Sequence, residues 1–195
     1  MNIEARVRHV STTRDSSKQD ERELVRRAAG GDADAFGDLY VRYLDDIYRY
    51  IFYKVGNQEK AEDLTEGVFL RAWEAIEDHR RKEYAFSSWL YRIAHNAVID
   101  HYRTRKEEEP LEAVSFRLAD ETVGPEERLL DEAEVTSLCE ALKQLSEEKQ
   151  HLLILRFVQG LPHAQVAEIL GKSEGACRVL QHRALATLNE IMTKD

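Results

Sequence analysis

The sequence predicts an all-α protein of two small helical domains joined by an acidic flexible linker, and three observations predict it. Its 195 residues include only three prolines and nine glycines, and most of the others are helix-favouring Ala, Leu, Glu, Arg and Lys. Apolar residues recur at steps of three and four along most of the chain, which is the period of an amphipathic helix. This pattern stops at 106–125, where Pro110, Gly124 and Pro125 stand among acidic residues, as in a linker.

The N-terminal domain is predicted to span residues 20–105, after a polar tail at 1–19 that has the composition of a disordered segment. Its predicted helices are 20–29, 32–55, 58–76 and 86–104. A Gly-Gly pair ends the first helix, Asp32 caps the second, and Gly56 ends the second. Trp89 lies on the apolar stripe of the fourth helix, so its side chain is predicted to face the core.

The C-terminal domain is predicted to span residues 126–195. Its predicted helices are 127–145, 146–160, 162–170 and 173–192. In the second of these, the predicted core residues are Leu152, Leu153, Leu155 and Phe157. Gly171 suits the left-handed residue that ends the third helix, and Ser173 suits the cap that begins the fourth.

The formal net charge of −9 is concentrated in one segment. Residues 107–134 contain eleven acidic and two basic side chains, which accounts for the whole net charge, whereas residues 79–106 contain seven basic and two acidic ones. A basic region beside an acidic linker differs from a uniformly acidic protein, so contact with nucleic acid is not excluded.

The most specific local pattern lies within residues 161–183. A short helix, a turn at Gly171 and a capped second helix make a helix-turn-helix arrangement. In it, Ala167 permits a close helix crossing, and Val179 and Leu180 are predicted to hold the second helix against the first. The exposed side of the second helix is predicted to present Ser173, Glu174, Ala176, Cys177, Arg178, Gln181 and His182. Such a helix end suits the DNA major groove, where Arg favours guanine and Gln favours adenine; an ordinary helical hairpin with a polar face is the alternative.

A second pattern mixes aromatic and basic residues over 79–105. Its aromatics are Tyr84, Phe86, Trp89, Tyr91 and Tyr102, and its cations are Arg80, Arg81, Lys82, Arg92, Arg103 and Arg105. Cations that neutralise phosphates and rings that stack on unpaired bases suit a single strand, and Asn96 suits contact with an extruded base. A solvated surface explains the same pattern equally well.

The predicted third helix has an apolar face and an acidic face. Glu62, Asp63 and Glu66 line the acidic face, which suits a partner that carries arginines. A plain amphipathic helix is the alternative.

The remaining patterns argue against other classes of protein. No segment approaches the about 18 consecutive apolar residues of a membrane span, and the two cysteines, Cys139 and Cys177, have no metal-site spacing. The histidines, including His151, are expected at the surface or in satisfied positions. No nucleophile motif, acid–base cluster or phosphate loop is present, so the sequence predicts a cytoplasmic protein that is not an enzyme and uses no cofactor or metal.

Taken together and in this order, the segments resemble the extracytoplasmic-function (group four) sigma factors of bacterial RNA polymerase, which belong to the sigma-70 family. The resemblance covers about residues 20–192. The segments that resemble the family's region two are 34–40, 61–65, 69–73 and 89–96, and those that resemble region four are 145–148, 155–157, 166–171 and 173–185.

The resemblance implies a role for three sets of residues. The set that corresponds to the surface that docks on polymerase is Asp63, Leu64, Glu66, Phe69 and Trp73. The set that corresponds to the region that melts and captures the minus-ten promoter element is His79, Arg80, Arg81, Lys82, Tyr84, Phe86, Arg92, Asn96, Arg103 and Arg105. The set that corresponds to the reader of the minus-thirty-five element is Lys172, Ser173, Glu174, Ala176, Arg178, Gln181, His182 and Arg183. The implied partners are core RNA polymerase (clamp helices of the largest subunit, flap of the second-largest), promoter DNA and an anti-sigma factor.

Two other functions fit part of the sequence. A stand-alone helix-turn-helix regulator would bind duplex DNA without polymerase, but it leaves the basic-aromatic region and the acidic helix face unused. A helical adaptor that only scaffolds proteins predicts no sequence preference in any DNA assay.

Overall fold

The computed structural model describes residues 20–79, 85–105 and 132–193, and the regular structure within these ranges is entirely helical. The elements are α1 (20–28), α2 (Ala33–Val55), α3 (Gln58–His79), α4 (Phe86–Arg105), α5 (Glu132–Lys143), α6 (Glu147–Leu153), a π-helical turn (Ile154–Val158), α7 (His163–Leu170) and α8 (Glu174–Met192). The all-α prediction is therefore confirmed. The predicted tail at 1–19 and the predicted linker at 106–125 lie outside the described residues.

The N-terminal half is built around α2. This helix begins where the Asp32 carboxylate accepts a hydrogen bond from the amide of Ala35, and it ends at Gly56, whose φ of 60° is left-handed. Its buried stripe includes Leu39, Ile47 and Ile51, each 0% exposed. The stripe packs against α3 and α4, so α2 forms the centre of this half.

The C-terminal half contains one departure from the predicted elements. The single helix predicted at 146–160 is α6 followed by the π-helical turn. A π turn has a wider repeat than an α-helix and so rotates the side chains that follow it. Leu155 is consequently fully buried, whereas Phe157, a predicted core residue, is 56% exposed; that prediction was wrong.

The two halves pack against each other. Helix α2 contacts α5 and the π-helical turn in addition to its own neighbours, and α4 contacts α7. We call the surface where α2 and α4 meet α6, the π-helical turn and α7 the domain junction. It brings side chains from the two predicted domains into direct contact.

The cap of α8 yields a stability prediction. Ser173 accepts a hydrogen bond from the Ala176 amide through its Oγ, at 3.2 Å. Because an N-cap side chain satisfies an otherwise unpaired helix amide, we expect Ser173→Ala to lower the free energy of unfolding by about 1 kcal/mol. Urea titration followed by far-ultraviolet circular dichroism measures the change. The matched control is Ser137→Ala, an exposed position within α5, and equal midpoints for the two variants would contradict the role of the cap.

Candidate nucleic-acid interface

Helices α7 and α8 form the predicted helix-turn-helix. Gly171 ends α7 with a left-handed φ of 65°, and the Ser173 cap begins α8 two residues later. Ala167 is buried, which confirms that a small side chain occupies the inner face of α7. The turn leaves one side of the first two turns of α8 open to solvent, which is the side that a recognition helix inserts into a major groove.

Several predicted minus-thirty-five residues lie on this open side. Arg178, His182 and Arg183 are exposed, and Arg178 lies 3.4 Å from the Glu174 carboxylate one turn earlier. Ser173, Glu174 and Ala176 are also exposed. Since an ion pair between exposed side chains contributes little free energy, the Arg178 guanidinium can exchange its carboxylate partner for a base edge.

Two members of the same set are engaged elsewhere in the fold. Lys172 forms an ion pair with Glu148 at 2.6 Å, a contact that holds α6 to the turn before α8. Gln181 is half-buried, and its Oε1 accepts a hydrogen bond from Arg156 Nε at 3.2 Å. The other polar side-chain atom of Gln181, Nε2, is a hydrogen-bond donor.

Two expectations for α8 were wrong. Cys177 was expected near the exposed side but is fully buried, and Val179 was expected to pack but is 52% exposed. The buried face of α8 follows Cys177 and Ala184, with half-buried Leu180 between them. Steps of three and four residues place these side chains on one face and exclude Val179 from it.

Four predicted minus-ten residues lie among the described side chains. Asn96 and Arg103 are exposed and Arg92 is half-buried. Phe86 is 2% exposed and its ring packs 5.5 Å from the Tyr43 ring, so in this conformation it supports the core. The remainder of the set lies outside the described residues or side chains: His79, Arg80, Arg81, Lys82, Tyr84 and Arg105.

The C-terminal half covers Arg92. Its guanidinium donates hydrogen bonds to the carbonyl of Glu168 and, at 3.2 Å, to the carbonyl of Ile169. These carbonyls belong to the last turn of α7, where helix carbonyls lack intrahelical partners and the helix dipole is negative. The predicted minus-ten cation is thus held by hydrogen bonds to the first helix of the helix-turn-helix.

Further hydrogen bonds extend this contact along the domain junction. The Ala85 amide donates to Glu168 Oε1 at 3.1 Å, and Gln165 Nε2 donates to Ser87 Oγ at 3.0 Å. The Tyr91 hydroxyl donates to the side chain of Gln159 at 3.1 Å. The two halves are therefore held in a closed arrangement by side chains from α4, α7 and the residue that follows the π-helical turn.

The predicted polymerase-docking residues divide into an exposed and a buried group. Asp63 and Glu66 are exposed on α3. Phe69 is 4% exposed beneath them, with its ring 4.7 Å from that of Tyr40, while Leu64 and Trp73 are half-buried. The exposed face of α3 around Asp63 and Glu66 is therefore acidic. The packed aromatic rings on the inner side hold α3 in position.

A cluster of buried titratable residues occupies the centre of the domain junction. Lys54 Nζ lies 3.0 Å and the Tyr50 hydroxyl 3.3 Å from Nδ1 of His95. The Nε2 of His95 lies 3.0 Å from the Glu147 carboxylate. His95 also stacks on His151, with ring centroids 3.9 Å apart and planes inclined by 13°. We call Lys54, His95 and His151 the junction cluster.

Burial keeps both rings of the junction cluster neutral. Burial, reinforced by the nearby Lys54 charge, lowers the pKa of His95 from 6.5 to about 4. Burial and the neighbouring His95 and Lys54 place the pKa of His151 well below its ordinary value. Burial also lowers the pKa of Lys54 from 10.5 to about 8, against the attraction of Glu147.

Sequence reasoning missed the junction cluster, and it was wrong about His151. That histidine is buried and its Nε2 has no hydrogen-bond partner, so it is neither at the surface nor satisfied. A signal was present for Lys54, which follows Tyr50 by four residues and Ile51 by three and therefore lies on the buried stripe of α2. The juxtaposition of His95 and His151 depends on the packing of the two halves, which no local pattern encodes.

Within the described ranges 20–79, 85–105 and 132–193, no helix combines the length and the apolarity that crossing a membrane requires. The same residues bring no three His, Cys, Asp or Glu side chains together as a metal-binding group.

Comparison with known proteins identifies both halves. Residues 39–108 match the model of Sigma-70 region 2, and residues 137–188 match that of Sigma-70, region 4. The chain is 39% identical over 190 residues to the ECF RNA polymerase sigma factor BldN of Streptomyces coelicolor, covering 96% of this chain and 71% of that protein. It is 32% identical over 173 residues to the ECF RNA polymerase sigma factor SigD of Mycobacterium tuberculosis, covering 86% of this chain and 81% of that one.

A solved structure shares this fold over most of the chain. It is that of CnrH in complex with the cytosolic domain of CnrY, with a TM-score of 0.68 and 23% identity over 90% of this chain and 99% of that one. At this identity the likeness concerns the fold alone. The two matched regions and the identity to curated relatives together show that the chain belongs to the extracytoplasmic-function RNA polymerase sigma factors of the sigma-70 family.

Proposed function

We propose that this sigma factor binds core RNA polymerase, directs it to promoters with a minus-thirty-five and a minus-ten element, and promotes melting of the second element. The observation that carries the proposal is the pairing in one chain of a region-two half with a region-four half whose α8 exposes Arg178 and His182 beside a capped helix start. A phosphate-rich duplex and a guanidinium on an open helix face are complementary.

The residue assignments follow the fold. In the region-four half (126–195), the minus-thirty-five contacts are proposed for Arg178, Gln181, His182 and Arg183, with Ser173 and Lys172 holding the helix start. In the region-two half (20–105), Asn96, Arg103 and, once uncovered, Arg92 are proposed to contact the minus-ten strand. The exposed acids of α3, Asp63 and Glu66, are proposed to dock on the clamp helices of the largest polymerase subunit, and the region-four half on the flap of the second-largest.

The proposed factor acts in the cytoplasm, is not an enzyme and uses no cofactor. Sigma factors are initiation factors that direct RNA polymerase to promoters, and the polymerase carries out the catalysis. We also propose an anti-sigma partner that covers both halves, because a free sigma factor would compete for polymerase continuously.

Transcription in vitro tests the proposed function. Purified factor and core polymerase are supplied with a library of randomised promoters, and the start sites of the transcripts are sequenced. We expect enrichment of two spaced sequence elements that depends on the factor. A stand-alone regulator would instead bind duplex DNA without polymerase, and an adaptor would enrich no sequence.

Replacement of Arg178 tests the proposed recognition helix. We expect Arg178→Ala to relax the preference at one minus-thirty-five position about tenfold, because a good bidentate contact contributes about 1–3 kcal/mol of base discrimination. The same promoter library measures the preference position by position. The control is Arg26→Ala on α1, an exposed arginine remote in sequence from α8; a uniform loss over all positions in Arg178→Ala would assign the residue to the phosphate backbone.

A further inference from the structure

We propose that His95 and His151, stacked at the domain junction beside Lys54, form a proton-sensitive latch: protonation of these imidazoles separates the two halves of the closed chain. The stacked rings belong to different halves, since His95 is on α4 and His151 is on α6. Any force that pushes the rings apart therefore acts directly on the junction. The proposal concerns the regulation of the proposed DNA-binding sites and rests on the proposed function only for its consequence, not for the opening itself.

The hydrogen bonds of His95 admit only the neutral ring. Its Nδ1 accepts from the Lys54 ammonium at 3.0 Å, and its Nε2 lies 3.0 Å from the Glu147 carboxylate, to which it donates. A second proton on His95 would have to sit on Nδ1, the nitrogen that faces Lys54 Nζ. Two cationic donors would then meet at hydrogen-bonding distance, so Lys54 would lose its acceptor at the same time.

The closed chain also disfavours a positive charge on His151, for a different reason. Its Nε2 is buried without a partner, so the proton that a charged ring must carry on this nitrogen would have no acceptor in the closed chain. The open chain would expose the same ring to water. Protonation of His151 therefore favours the separated halves.

The charges around the two rings do not offset this effect. From α2 the rings face Lys54 and the hydroxyl of Tyr50, and from α6 His95 faces Glu147. Tyr91 of α4 faces Tyr50, and near it Asp46 and Arg49 pair with each other at 3.3 Å. Once both rings are charged, the two imidazoliums and the Lys54 ammonium would be three neighbouring cations. Glu147, whose side chain is 59% exposed, would be the acidic group that faces them.

The direction of the pH dependence follows from linkage. In the open chain the imidazoles have their ordinary pKa of 6.5, whereas in the closed chain burial and Lys54 hold that of His95 at about 4. The open chain therefore binds more protons at His95 between these values, and this histidine shifts the equilibrium toward the open chain by about tenfold for each pH unit from 6.5 down toward 4. The lowered pKa of His151 acts in the same direction. The contribution of His95 to the closed arrangement is fully present above pH 6.5 and is lost as the pH falls from there toward 4.

Opening would uncover the proposed DNA-binding groups. Arg92 is bound to the last carbonyls of α7 in the closed chain, and the contacts of Ser87 and Tyr91 cover the same side of α4. Separation of the halves makes the Arg92 guanidinium available to contact a DNA phosphate. It also lets α8 and α4 contact different stretches of the DNA. The latch thus holds the factor in a form that cannot occupy both promoter elements.

Energy transfer between two dyes tests the latch. Azide amino acids replace the exposed Glu74 of α3 and Glu190 of α8 and carry the dyes, so that the two buried cysteines stay unmodified. The labelled full chain is titrated at nanomolar concentration from about pH 7.5 to about pH 4.5, the range that covers ordinary histidine titration. We expect a reversible fall in transfer efficiency below pH 6.5 with unchanged far-ultraviolet circular dichroism.

Two non-titrating replacements separate protonation from general acid unfolding. His151→Phe keeps a ring for the stack, and His95→Gln keeps one acceptor and one donor. We expect each single variant to open with about half the proton dependence of the unsubstituted chain, and the double variant to stay closed over the whole range. His101→Gln, a half-buried histidine of α4 outside the junction cluster, is the control and should follow the unsubstituted chain.

Constant transfer efficiency in the unsubstituted chain would overturn the proposal, as would a double variant that opens at the same pH. The readout contains neither DNA nor polymerase, so it does not depend on the proposed function. A chain that opens with acid but directs no transcription would refute the proposed function and leave the latch standing.

Discussion

Charge reversal at Glu66 is expected to lower the affinity of the chain for core RNA polymerase about a hundredfold, or about 2.7 kcal/mol. Glu66 is exposed on α3, and the neighbouring acids Glu62 and Asp63 are exposed on the same face. A lysine at this position places a cation where the proposed partner surface must be basic, and like charges set against each other at an interface cost several kcal/mol. Titration of dye-labelled Glu66→Lys with core polymerase, followed by fluorescence anisotropy, measures the dissociation constant.

Asp45→Lys is the matched control for this change. Asp45 is exposed on α2, and the substitution alters the net charge by the same amount without touching α3 or the region-four half. Because long-range steering depends on net charge, both variants share any general effect, and the difference between them reports the α3 surface alone. Equal dissociation constants for the two variants would remove α3 from the docking surface.

Most of the fold was predictable from the sequence because its helices are delimited by local chemistry. The helix ends carry residue types that favour those positions. The N-caps are Asp32 and Ser173, and the left-handed residues that end helices are Gly56 and Gly171. A π-helical turn leaves no such signal, since it arises when tertiary packing favours a wider turn. The exposure of Phe157 was therefore mispredicted, although the neighbouring leucines were assigned correctly.

The candidate interface was predictable only as far as each helix face is a local property. The open side of α8 follows from three- and four-residue periodicity, and Arg178 and His182 lie on it. The covering of Arg92 by α7 and the stacking of His95 on His151 pair residues that are more than fifty positions apart in the chain. Such contacts depend on how the two halves dock, and hydrophobic periodicity carries no information about docking.

Lys54→Met is expected to stabilise the N-terminal half, raising its free energy of unfolding at neutral pH by about 2 kcal/mol. Lys54 is 1% exposed, and burial lowers its pKa from 10.5 to about 8. That depression corresponds to about 3 kcal/mol by which folding disfavours the ammonium, from which about 1 kcal/mol is subtracted for the lost hydrogen bond to His95. The Tyr50 hydroxyl, 3.3 Å from the same nitrogen of His95, remains as a donor, so the ring is not left unsatisfied.

The pH dependence distinguishes this origin from a simple gain in packing. The unfolded chain keeps a lysine pKa of 10.5 while the folded chain has about 8, so between these values the unfolded chain binds more protons and the stability of the unsubstituted protein rises with pH. Lys54→Met lacks that rise, and its advantage should disappear by about pH 10. Urea unfolding followed by tryptophan fluorescence measures the stability of the N-terminal half, because both tryptophans, Trp73 and Trp89, belong to that half. The control is Lys60→Met, at a half-buried position of α3. It is expected to change the free energy of unfolding by no more than about 0.5 kcal/mol at any pH. An equal gain in both variants would show that the buried charge of Lys54 does not destabilise the fold.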